Sequence, residues 1–164
     1  MQGIVYFESP VGCVRIKASE TALVELEFVD AAGEDALPNA IAQQTAQELM
    51  EYFAGARKDF TVPLAPTGTN FQQAVWGQLV AIPFGKTTSY GNLARHMKNE
   101  GAIRAIGQAN HVNPIAIIIP CHRVIGSDRS LVGYGGGLWR KRWLLEHERA
   151  IAEGTRTIPL TQFL

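Results

Sequence analysis

The chain of 164 residues is 46% hydrophobic and 18% charged, proportions of a packed globular protein that exclude a disordered one. No run approaches the roughly 20 apolar residues of a membrane span, and Met1 to Glu8 lack the basic start and long apolar run of a signal peptide. Fifteen basic and fifteen acidic residues cancel overall, yet residues 1–66 carry ten acidic against four basic and residues 67–164 five against eleven, so only the second part suits a phosphate partner.

Residues 2–8, 12–18 and 22–29 read as three strands of a meander, with Ser9-Pro10-Val11-Gly12 and Ser19-Glu20-Thr21 as turns. In the third, Leu23, Glu25 and Glu27 alternate with Val24, Leu26 and Phe28, which predicts one wet, acidic face. Asn39 to Ala54 is built of helix formers, with Ile41, Ala42, Leu49, Met50 and Phe53 at helical intervals and Gly55 as a stop. Lys58 to Leu64 reads as a further strand-like piece. This half shows no chemistry and is expected to be scaffold. Ala65-Pro66-Thr67-Gly68-Thr69 is the best linker, which divides the chain into domains 1–66 and 67–164.

After the linker, Thr69 with Gln72 makes a capping-box pattern, and Phe71, Val75, Leu79 and Val80 form the stripe expected to be buried. Pro83-Phe84-Gly85 ends that helix. Ser89 can cap a short helix through His96, Asn99-Glu100-Gly101 is a turn, and Ala102 to Asn110 is a second short helix. The pair is compatible with a helix-turn-helix and equally with an ordinary helix pair. Ala102, Ala105 and Ala109 give the second helix a small-residue face, and Arg104 projects from it.

Ile115 to Ile119 is a β-branched run that predicts a short buried strand, stopped by Pro120 because proline has no N–H for a ladder. Cys121 and His122 follow. A thiol at the mouth of a rigid element beside an imidazole is how a chain presents a nucleophile; a buried cysteine that fills core space is the other reading. Cys13 is the only further cysteine, too few for a disulfide framework or a zinc site of common spacing, which fits a reducing, cytosolic setting. Gly133-Tyr134-Gly135-Gly136-Gly137 lacks the Gly-Lys-Ser/Thr ending of a P-loop and suits a loop that closes on a flat ligand. Leu138 to Arg149 reads as a helix. Glu148 lies on its apolar face with Leu144 and Leu145, where an acid is costly unless something pairs with it.

Taken together, Phe71 to Glu148 resembles the O6-alkylguanine-DNA alkyltransferases, also called methylated-DNA–protein-cysteine methyltransferases. The resemblance rests on Pro120-Cys121-His122-Arg123-Val124, and on Ser89-Tyr90, Arg104-Ala105-Ile106-Gly107, Asn113-Pro114, Gly133-Tyr134 and Trp143-Leu144-Leu145-Glu146-His147-Glu148 in order. It implies an α+β protein, with an RNase H-like N-terminal domain of antiparallel strands and a mainly helical, winged-helix or helix-turn-helix-like C-terminal domain. It implies Cys121 as the nucleophile that takes the alkyl group, His122 as base through a water, Glu148 to orient the imidazole and Asn113 to hold the preceding segment. Tyr90 would press on the phosphate beside the target; guanine leaves as a neutral base only if its O6 receives a proton or a strong hydrogen bond, and on that chemical ground Tyr90 is the candidate donor. Arg104 would fill the gap left by the extruded base, with Ala102, Ala105, Gly107 and Arg123 on the DNA face in the minor groove. Tyr134, Gly135, Gly136, Val124 and Asn110 would line the base pocket.

The physical logic agrees with those roles. A free thiol of pKa about 8.5 is mostly protonated at neutral pH and needs a base. The alkyl carbon is out of reach inside a duplex, so the nucleotide must be extruded, and an inserted side chain offsets part of that cost. The thioether product is not reversed by ordinary reductants, which implies one turnover per molecule, no cofactor and no metal. The implied partner is alkylated double-stranded DNA, bound by a monomer in the cytoplasm, or in the nucleus of a eukaryote. The zinc site of some relatives' N-terminal half cannot form with Cys13 alone, and Arg129 and Asn110 depart from some relatives. Two other readings remain: a damage sensor that binds without repair, and a Cys-His-Glu hydrolase.

Overall fold

The computed structural model describes residues 2–126, 128, 131 and 133–154, which cluster into two units. The first comprises residues 2–67 with 114–116 and 150–154; the second comprises 68–113 and 117–149.

In the first unit, β1 (Gly3–Ser9), β2 (Gly12–Ala18) and β3 (Leu23–Val29) form an antiparallel meander in the order β1-β2-β3. Gly12, with φ of 107°, closes the first hairpin in a conformation that favours glycine. β3 departs from simple alternation. Ala18 faces Leu23 and Lys17 faces Glu25, so Val24 is an extra residue in the ladder. That bulge shifts the phase and puts Leu23 and Leu26, not Val24 and Leu26, in the core. The outer edge of β3 takes single parallel bridges from Leu64 and Ile115, and β1 takes one from Leu37, so each edge is paired in part.

Helix α1 (Ala40–Phe53) covers the sheet. Asn39 caps it, accepting from the Ala42 N–H and donating to the Ala18 carbonyl, which ties helix start to strand end. The Lys58–Leu64 segment is not a strand beyond its bridge at Leu64. Its donors go to Glu48 of α1 instead: the Thr61 N–H and hydroxyl each lie 2.7 Å from a Glu48 carboxylate oxygen. A buried acid has taken the place of a ladder.

In the second unit, α2 (Asn70–Val80) starts at the expected capping box, Thr69 with Gln72. Val75 and Leu79 are buried as their spacing predicts, but Trp76 takes the third core position and Val80 is 50% exposed. The Trp76 indole N–H donates to the Ala109 carbonyl, which orients the ring toward α4 (Ile103–His111). β4 (Thr88–Ser89) runs into α3 (Tyr90–His96), where Ser89 caps by accepting from the Asn92 N–H. A 3₁₀ turn, Glu100–Ala102, leads into α4, so α3 and α4 form the helix-turn-helix pair.

The expected strand at Ile115–Ile119 is absent. Ile115 makes one bridge and residues 116–118 turn, with Ile117 at φ 71°. A β-branched residue in the left-handed region is strained. Ile115, Ile117, Ile118 and Ile119 are all buried, so the composition reports burial rather than extension. The chain then forms a 3₁₀ turn, Cys121–Arg123, followed by β5 (Val124–Ile125), which pairs in parallel with β4. Helix α5 (Leu138–Ala152) ends the described chain, and the rest of the tail from residue 155 lies outside the described residues, as does Arg129.

Candidate active site

The turn at Cys121–Arg123 is built from the backbone outward. The Ile119 carbonyl accepts from the Cys121 N–H at 2.7 Å and from the Asn113 side-chain amide at 2.8 Å, so Asn113 pins the segment that the strained Ile117 leads into. Because the turn is 3₁₀ rather than extended, consecutive residues fan out around it, and Cys121, His122 and Arg123 are all buried.

Burial pushes the Cys121 thiol above its ordinary value, while a hydrogen bond from Asn113 and the charge of Lys141 act in the other direction. The neighbouring His122 is fully buried, and its Nε2 lies 2.7 Å from Glu148 Oε2. Burial by itself opposes ionisation of Glu148, yet the His122 ring and the Arg123 guanidinium hold the carboxyl well below the usual carboxylate range. An ionised carboxylate only accepts, so Nε2 carries the proton toward Glu148 and Nδ1 is left as the acceptor of the neutral ring. Nδ1 has no hydrogen-bond partner among the described protein groups.

Arg123 overturns one expectation. It is not on a DNA face: it is 6% exposed, donates through Nε and Nη2 to both oxygens of Glu148, and through Nη1 to the Ile82 carbonyl. The paired acid required by the Glu148 spacing is therefore satisfied twice, by a fork-shaped guanidinium and by an imidazole.

A second layer surrounds the thiol. Asn110, in the last turn of α4, donates to the Tyr90 hydroxyl oxygen at 3.2 Å and to the Cys121 carbonyl at 3.4 Å. Val124 is buried on β5, and its carbonyl accepts from Lys141 Nζ at 2.5 Å. Burial pushes the Tyr134 hydroxyl well above its ordinary value, and negative charge on Cys121 adds to this. Gly135 and Gly136 follow in the turn before α5, with the Gly136 carbonyl accepting from Arg140 at 2.8 Å. Gly137, at φ 95°, lets that turn enter the helix. Arg104 and Ala105 are exposed on α4, with Ala102 and Gly107 half-buried. A Cβ on Gly107 would lie 3.9 Å from the Tyr90 ring, so this stretch of α4 runs alongside Tyr90.

Lys141 is the residue that sequence reasoning missed. It is fully buried and donates to the Val124 carbonyl and, at 3.4 Å, to the Gly133 carbonyl, joining β5 to the glycine loop. Burial pushes its pKa down to about 8, while negative charge on Cys121 acts the other way. The signal was present in the spacing: Lys141 lies three residues before Leu144 and seven before Glu148, on the same buried face. A cavity of about 530 Å³ in this unit is lined by Glu148 with Thr87, Ile125, Arg142 and Leu145, and its lining does not include Cys121.

Two family models cover the chain. The DNA-binding domain of 6-O-methylguanine DNA methyltransferase matches residues 70–150, and its ribonuclease-like domain matches 4–66. A methylated-DNA–protein-cysteine methyltransferase of Methanosarcina acetivorans is 43% identical over 148 residues, 87% of this chain and 95% of the relative. That of Mycobacterium leprae is 46% identical over 147 residues, 87% and 89% of the two chains. Among solved structures, the Mycobacterium tuberculosis O6-methylguanine methyltransferase superposes with a TM-score of 0.82 at 40% identity, with full coverage of both chains. The Mycobacterium tuberculosis OGT in complex with DNA gives 0.81 at 41% identity, covering 92% of this chain and 93% of that one. A buried thiol, a histidine and its acid, in a unit that carries a helix-turn-helix, thus occur with full-length similarity in both units, and the chain belongs to the methylated-DNA–protein-cysteine methyltransferase family.

Proposed function

We propose that this protein repairs DNA by moving an alkyl group from guanine O6 to the sulfur of Cys121, once per molecule. The observation that carries the reading is the Cys121 turn itself, a buried thiol followed by an imidazole that Glu148 orients at 2.7 Å. His122 Nδ1 takes the thiol proton through a water. The thiolate attacks the alkyl carbon, the C–O6 bond breaks and its electron pair passes to guanine. Tyr90 gives its hydroxyl proton to the base, which leaves neutral, the proton held by His122 returns to the Tyr90 oxygen through water, and Asn113 holds the turn in place. General-base assistance of this kind contributes roughly 10²–10⁴-fold.

The target base is out of reach in a duplex, so the nucleotide is extruded into a pocket lined by Tyr134, Gly135, Gly136 and Val124, at a cost of a few kcal/mol. Arg104 is exposed on α4 and suits the gap left in the stack. Ala102, Ala105 and Gly107 keep that helix slim enough for the minor groove. In this reading the protein works as a monomer without cofactor or metal. Residues 1–66 are the scaffold and 67–164 the working domain. No helix among the described residues is long and apolar enough to cross a membrane, and a cytoplasmic site of action is part of the proposal.

The test is stoichiometric. Protein is mixed with excess duplex containing one O6-methylguanine, followed by intact mass and peptide mapping. One methyl on Cys121, with activity ending at one equivalent, is expected; no added mass with DNA still bound would make the protein a sensor, and repeated turnover a hydrolase. Cys121→Ala should abolish transfer and keep duplex binding.

A further inference from the structure

Asn110 is 4% exposed, and its position in the network is unusual for a pocket-lining residue. The orientation of its amide is fixed by chemistry: the Cys121 carbonyl only accepts, so Nδ2 must face it. The same Nδ2 donates to the Tyr90 oxygen at 3.2 Å. Tyr90 therefore receives a hydrogen bond from Asn110, and its own O–H hydrogen is not spent on that contact. Asn110 Oδ1 is buried without a partner among the described residues, so this amide is held by its donor side alone.

We infer that Asn110 is a positioning residue that commits the Tyr90 hydroxyl proton to the leaving guanine. The inference rests on the proposed role of Tyr90 as donor. A phenol oxygen that accepts an N–H can still donate its hydrogen, but not toward that N–H, so the rotation of the hydroxyl is restricted. The same bond makes the phenol a better donor, because charge that builds on its oxygen as the C–O6 bond breaks is shared with the amide. Burial raises the Tyr90 pKa above its ordinary value and the Asn110 bond works against that rise, in agreement with this effect.

A double-mutant cycle in single-turnover repair of O6-methylguanine duplex tests this, using Tyr90→Phe, Asn110→Leu and the two together. Asn110→Met, unbranched and adaptable, serves as a second variant should Leu fold poorly. The rate at which iodoacetamide alkylates Cys121 is followed in each as a measure of the thiol itself. The expected result is that Tyr90→Phe and Asn110→Leu each slow repair about tenfold, that Asn110→Leu has little further effect in the Tyr90→Phe background, and that iodoacetamide reactivity holds. Equal slowing by Asn110→Leu in both backgrounds overturns the inference and leaves the Tyr90 reading standing. A parallel fall in iodoacetamide reactivity also overturns it, since Asn110 would then act through the Cys121 backbone. No slowing by Tyr90→Phe removes the donor role and the inference with it.

Discussion

Two buried carboxylates, one in each unit, have the same burial and opposite company. Glu48 is 3% exposed and Glu148 is 1% exposed. Glu48 is satisfied by the Thr61 N–H and hydroxyl and by the Gln44 amide, with the Arg57 guanidinium farther off at 3.9 Å. Glu148 is satisfied by Arg123 and by His122, the residue next to the thiol. In both, burial opposes ionisation and the hydrogen-bond partners outweigh it, so both carboxyls lie below their ordinary value. Neutral donors around Glu48 hold a loop where a strand would otherwise be needed. A titratable ring on Glu148 turns the same device into a proton path. What an acid does in a core is decided by what donates to it.

Glu148→Ala separates the two most sharply. It leaves Arg123 as an uncompensated buried charge, a loss of about 3–5 kcal/mol, and it removes the orientation of His122, so folded protein should transfer methyl groups at least about 10²-fold more slowly. Chemical denaturation and single-turnover kinetics measure the two effects. Glu48→Ala should cost about 1–3 kcal/mol by orphaning the Thr61 donors, with transfer per folded molecule unchanged. If Glu48→Ala slowed the chemistry of folded protein, the contrast between the two acids would collapse.

These two acids were not equally legible in the sequence. Glu148 could be read because it shares a face with Leu144 and Leu145, and its required partner could be anticipated, though not identified as both His122 and Arg123. Arg123 was misassigned to DNA because adjacency to Cys121 says nothing of direction; only the fold reveals that its guanidinium turns back onto Glu148. Glu48 passed as one more helix former, although Thr45, Leu49 and Tyr52 lie on its buried face. The three strands, α1, the capping box and the helix pair followed from local pattern. The turn at Ile117 did not, because five β-branched and small apolar residues encode burial and not the left-handed φ that Ile117 adopts.

Amide substitutions probe the same contrast with smaller effects. In Glu48→Gln the new NH₂ can face the Thr61 hydroxyl, which accepts as well as donates, and the Gln44 amide, which can turn its oxygen inward, so the cost should stay near about 1 kcal/mol. In Glu148→Gln an NH₂ must face a guanidinium that has no acceptor, and about 1–3 kcal/mol should be lost. Transfer should slow in the second and not in the first. Equal costs, measured by urea unfolding, would mean that donor chemistry is not what distinguishes the sites.

The acid limb of stability gives the smallest and finest difference. A carboxyl whose folded pKa lies below its unfolded value stabilises the fold fully above the unfolded value, and that contribution is lost as pH falls through the folded value. The ordinary value is 4.5 for both glutamates, and both are lowered. Neither should therefore change stability between neutrality and that value, and both should weaken the fold below it. Glu148, facing an imidazole and a guanidinium, is held lower than Glu48, so its share is surrendered over a longer stretch of a descent that begins at the same unfolded value. Thermal melts against pH should show both Glu48→Gln and Glu148→Gln with a shallower fall than the parent from the first part of the acid limb, where the unfolded carboxyl takes up a proton and the folded one does not. Glu48→Gln should become parallel to the parent first, and Glu148→Gln should stay shallower to more acidic pH. The reverse order would mean that the donors to Glu48 bind its charge more firmly than a paired arginine and histidine do, and that the charged company of Glu148 serves the proton path alone.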